Sequence, residues 1–79
     1  MKYALHRMNR PPVLNALKDK RTERGITQER LAQLTGLARQ SIISIEKGRF
    51  LPTIETALRL ADALNVTVED LFWLRETTR

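Results

Sequence analysis

Few side chains in this chain are equipped for covalent or metal chemistry. There is one histidine, His6, and no cysteine. Thiolate metal sites and disulfides are therefore excluded, and a single histidine argues against His-cluster centres and Ser-His-Asp arrangements. Glu69 and Asp70 are adjacent carboxylates, the kind used in acid–base work. They follow Thr67-Val68 in a capping-box variant, and that role accounts for them without catalysis. No nucleophile elbow, phosphate-binding glycine loop or metal-ligand spacing is present. The expectation is a protein that is not an enzyme and holds no metal or cofactor. What remains is charge. Fourteen Lys and Arg face nine Asp and Glu, a net charge of +5. Residues 1–25 carry seven basic and two acidic side chains, residues 26–51 four and two, and residues 52–79 three and five. A chain that is basic over two thirds and acidic over the last third suits a polyanion on one side and a different partner on the other.

The elements that must hold these charges are helical. Hydrophobic residues at 42% and charged residues at 29% give a globular balance, and 79 residues suffice for one small domain. No apolar run approaches the roughly 18 residues of a membrane helix. Charges come too early for a signal peptide. The expectation is a soluble, cytoplasmic protein with no membrane contact. Aromatics are only 5%, and no Asn-Gly or Asp-Gly turn marks a hairpin. Gly25, Gly36 and Gly48 each follow a stretch with helical patterning, where a left-handed closing residue is needed.

The spacing predicts five helices. The first runs from about Pro12 to Arg24, with Val13, Leu14 and Leu17 as its stripe and Pro11-Pro12 as its start. The second runs from Gln28 to about Thr35 behind Thr27 as N-cap, with Leu31 and Leu34 inward. The third spans about Arg39 to Lys47, with Ile42 and Ile45 inward. Thr53 caps the fourth, whose stripe is Ile54, Ala57, Leu58, Ala61 and Leu64, ending at Asn65. Thr67 opens a short fifth helix. Tyr3 and Leu5 alternate with polar neighbours as in a short strand, and residues 72–77 are its candidate partner. The organisation expected is an arm or strand over 1–10, one domain over 11–72 and a tail over 73–79.

The segment from Gln28 to Lys47 is the most specific. Two helices of about eight residues are joined by Gly36-Leu37-Ala38, a turn short enough to force a sharp angle, and Ala32 stands at the crossing. This is a helix-turn-helix pattern, in which the second helix can enter the major groove of DNA. The stretch Thr27-Gln28-Glu29-Arg30-Leu31-Ala32, then Gly36 through Gly48, resembles the phage repressor and Cro-type (xenobiotic-response-element type) helix-turn-helix family. The likeness continues from Pro52 to Phe72, including the Val-Glu-Asp-Leu-Phe ending.

The resemblance implies an all-α, five-helix lambda-repressor-like domain, with a short strand pair of the chain ends as an addition. It implies a transcriptional regulator, a repressor, that binds a palindromic double-stranded operator as a homodimer. Gln28 then contacts a phosphate and braces the third helix, and Arg39 and Gln40 reach base edges, where Arg suits guanine and Gln suits adenine. Ser41 matches the family's backbone-contacting hydroxyl residue, Ser44 lies one turn further along the groove-facing side, and Lys47 and Arg49 rest on phosphates. Arg21 and Glu46 match an ion pair that orients the recognition helix.

Two residues depart from the family pattern. Ile43 stands where a small polar residue is usual, and either touches a thymine methyl or tucks against the following loop. Ala38 stands where Ser or Thr commonly caps the third helix, a loss of about 1 kcal/mol.

Phe72, Trp73 and Leu74 form the most apolar cluster near either end and are the expected dimer contact. Two rival readings share the fold. One is an antitoxin that also binds a toxin protein. The other is a restriction–modification controller. No ligand-sensing domain is visible, so no inducer is expected.

Overall fold

The computed structural model describes residues 12–75. Along them run β1 (Val13–Asn15), α1 (Leu17–Glu23), α2 (Gln28–Thr35), α3 (Arg39–Glu46), α4 (Ile54–Leu64), α5 (Val68–Leu71) and β2 (Phe72–Leu74). The strands form one antiparallel pair, with Val13 opposite Leu74, Leu14 opposite Trp73 and Asn15 opposite Phe72. The ladder extends outward through the Arg75 N–H, which donates to the Pro12 carbonyl at 2.7 Å.

The first helix therefore starts later than its apolar pattern implied. Val13 and Leu14 belong to the strand, and only Leu17 of the expected stripe lies in the helix and is fully buried. Asn15 makes the change of direction. Its Oδ1 accepts from the Leu17 N–H at 3.0 Å, closing the start of α1, while the Ala16 N–H donates to the Leu71 carbonyl at 2.9 Å. The partner of Phe72–Leu74 is thus the segment after Pro12. The expected Tyr3–Leu5 strand and the arm over 1–10 lie outside the described residues, as do residues 76–79.

The core is built from Leu17, Leu31, Ala32, Ile42, Ile45, Leu60, Ala61, Leu64 and Leu71. Leu34, Ile54 and Leu58 were expected inward and are exposed instead. In α4 the buried arc is Ala57, Leu60, Ala61 and Leu64. Ile54 and Leu58 extend the apolar arc past its buried edge, because successive residues turn by about 100° and a stripe this wide cannot be covered by one neighbour.

Helix ends follow the chain's punctuation. Gly25, Gly36 and Gly48 all have positive φ, and Asn65 joins them at 57°. Thr27, Thr53 and Thr67 cap α2, α4 and α5 by accepting from the backbone N–H three residues on. At α5 the box is reciprocal, since the Thr67 N–H donates to Asp70 Oδ2 at 3.0 Å. The Thr67 backbone N–H, and then its side chain, hold the Asp70 carboxyl below its usual pKa.

Candidate nucleic-acid interface

The sharp turn between α2 and α3 is fixed by three local devices. Gly36 takes φ of 76°, a conformation costly for a side chain with Cβ. Its N–H and that of Leu37 both donate to the Ala32 carbonyl, at 2.9 and 3.0 Å. Thr35 is buried and turns its hydroxyl back to the Leu31 carbonyl at 2.8 Å. Ala32, also buried, leaves room for the close crossing.

A polar chain then sets the azimuth of α3. Arg21 Nε donates to Glu46 Oε2 at 2.6 Å, and the two side chains retain only 10% and 5% of their exposure. Arg21 Nη1 also donates to the Ile26 carbonyl at 2.9 Å. Glu46 Oε1 accepts from Gln28 Nε2 at 3.0 Å. Gln28 Oε1 in turn accepts from Arg39 Nη2 in a long contact of 3.5 Å. The ion pair of α1 and α3 is thereby connected, through the first residue of α2, to the first residue of α3.

Seen against this frame, the DNA-contact candidates fall into two groups. Arg39 and Gln28 line one shallow depression with Thr27 and Glu29. Gln40, Ser41, Ser44 and Arg49 line a second, together with Phe50. Arg39, Gln40, Lys47 and Arg49 are exposed, while Gln28, Ser41, Ile43 and Ser44 are half-buried. The start of α3 carries no side-chain cap, as the alanine at position 38 implied. Phe72, Trp73 and Leu74 stand apart from this surface in one strand, with Phe72 packed on the core and Trp73 and Leu74 exposed.

Asn15 is a residue whose importance the sequence did not reveal. Besides closing α1, its Nδ2 donates to the Ile45 carbonyl near the end of α3, at 3.0 Å. An Asn two residues before a helical Leu signals a cap, but its second bond spans 30 residues of sequence and leaves no local trace.

Residues 17–71 match the helix-turn-helix family HTH_3. The chain belongs to this family. Its members are DNA-binding transcriptional regulators, not enzymes, and this chain is a DNA-binding regulator of that type. It is 39% identical over 62 residues to an uncharacterised helix-turn-helix regulator, YgzD, of Bacillus subtilis (strain 168), covering 78% of this chain and 94% of that one. The restriction–modification controller protein C.AhdI from Aeromonas hydrophila has a similar structure. Its TM-score is 0.66 at 35% identity, over 68% of this chain and 82% of that one. SinR, a master regulator of biofilm formation solved in complex with DNA, gives 0.64 at 30% identity, over 67% and 86%. Among the described residues no helix is long and apolar enough to cross a membrane.

Proposed function

We propose that this regulator represses transcription by occupying a palindromic operator as a homodimer, α3 of each copy lying in the major groove. The observation that carries the reading is the exposed pair Arg39–Gln40 at the tip of α3, on a helix whose orientation is fixed by Arg21, Glu46 and Gln28. Arg39 has the donors to grip O6 and N7 of guanine, and Gln40 has the donor and acceptor for N6 and N7 of adenine. Gln28, Ser41, Ser44, Lys47 and Arg49 supply phosphate contacts, which set register and most of the affinity. Half-buried Ile43 contributes methyl-to-methyl contact with thymine through the part of its side chain left open. Residues 11–72 act as the DNA-binding unit. One such unit touches few base pairs. Two related by a two-fold axis read half-sites about 34 Å apart. Two apolar surfaces are available to join them, Trp73–Leu74 on the terminal sheet, where the sequence pointed, and the outer face of α4.

Selection of bound fragments from genomic DNA at about 0.15 M salt, where non-specific binding is weak, tests the reading. An inverted repeat with half-sites one helical turn apart is the expected enrichment, lost in Arg39→Ala. No enrichment removes the autonomous-repressor reading. The likeness to C.AhdI favours one alternative role for the same DNA-binding unit, control of a restriction–modification system. Location of the enriched site upstream of such genes would select it.

A further inference from the structure

The outer face of α4 is the most exposed apolar surface among the described residues. Ile54 keeps 80% of its accessible surface, Leu51 just before the helix 65%, and Leu58 one turn on 55%. Ile54 and Leu58, four residues apart within α4, share one face of the helix, and Leu51 adds to the apolar surface just ahead of it. Such a stripe is costly to leave in water and marks an interface. Trp73 keeps 45% and is paired across the sheet with Leu14, so its claim is weaker.

We infer that the homodimer closes through this α4 stripe, with a second copy of the chain as its occupant; the inference rests on the homodimer reading above. Charge complementarity names the occupant. Glu55 and Arg59 flank the stripe on one side and pair with each other at 2.6 Å, both largely in solvent. A two-fold axis crossing α4 between them keeps this flank on the same side in both copies and reverses its direction. Glu55 of one copy then meets Arg59 of the other, twice over, while Ile54 and Leu58 cover each other. The surface is thus self-complementary in the sense an isologous contact requires.

Sedimentation equilibrium of the full chain over a range of concentrations tests this. The wild type is expected to dimerise. Leu58→Arg is expected to weaken self-association by about 30-fold or more, because the change strikes a two-fold interface twice. Its helical circular dichroism and melting should be retained, since the side chain is exposed. Glu55→Arg is expected to weaken the dimer, and Glu55→Arg with Arg59→Glu to restore it. Trp73→Ala should leave it intact. A Leu58→Arg variant that dimerises like wild type, or dissociation by Trp73→Ala instead, overturns the α4 assignment while the homodimer stands. A wild type that stays monomeric at every concentration, with and without operator, overturns the homodimer itself and this interface with it.

Discussion

The two helices of the motif begin in opposite ways. At the start of α2, Thr27 accepts from the Arg30 N–H at 3.0 Å, and Gln28 is held by both Glu46 and Arg39. At the start of α3, Ala38 offers no cap, and Arg39 and Gln40 project into solvent. On the DNA-binding reading proposed above, the difference separates holding from reading. α2 is anchored by side chains because it must fix an angle. α3 leaves its first turn bare, with unpaired N–H groups and two long polar side chains directed outward, where a polyanion is attracted by the positive helix end.

The comparison breaks most completely at Glu46. Glu46→Ala leaves the Arg21 guanidinium nearly buried without its carboxylate, and frees Gln28. A loss of about 3–5 kcal/mol is expected, seen as a large drop in the denaturant midpoint. Arg39→Ala should instead leave stability nearly unchanged and cost about 1–3 kcal/mol in binding to the selected operator, measured by fluorescence anisotropy. Equal loss on unrelated DNA would make it a phosphate contact only. Exchanging the caps sharpens the contrast further. Thr27→Ala gives α2 the bare start of α3 and should destabilise by about 1 kcal/mol, and Ala38→Ser should gain about as much. The serine should not raise operator affinity in proportion.

The smallest effect concerns a third helix start, the reciprocal box at α5. The Asp70 carboxyl has a lower pKa in the fold than in the unfolded chain, because Thr67 hydrogen-bonds its charged form. Its contribution is therefore present at and above the ordinary carboxylate range and is lost as pH falls through the lowered value. Melting curves of Asp70→Asn should lie slightly below wild type at neutral pH and converge with it in acid.

Local signals were the legible ones. The glycines and Asn65 mark helix ends because positive φ is a property of single residues, and the threonine caps act over three residues. The Arg21–Glu46 pair came from family resemblance, which carries long-range information that patterning lacks. Val13 and Leu14 misled because an apolar pair before Leu17 suits either a strand or a helix, and the deciding partner, Phe72–Leu74, lies at the far end of the described chain. In α4 the residue types gave the width of the apolar arc but not which part of it the core would cover. That is why Leu60 was missed and Ile54 and Leu58 were overvalued. The assignment of Arg39 and Gln40 to the start of α3 likewise came from the family resemblance, and both are exposed there.

The terminal strand pair also bears on how the chain folds. Its two members are separated by all five helices, so it closes the longest loop in the described chain and carries a large entropic cost for a three-residue ladder. The helices are therefore expected to form and dock first, and the ladder to zip last. In the native state the same economy runs in reverse. The amides of Val13–Asn15 and Phe72–Leu74 should exchange with solvent at the lowest free energy of any strand or helix. Each such opening should carry Asn15 away from the Ile45 carbonyl and briefly loosen the far end of α3.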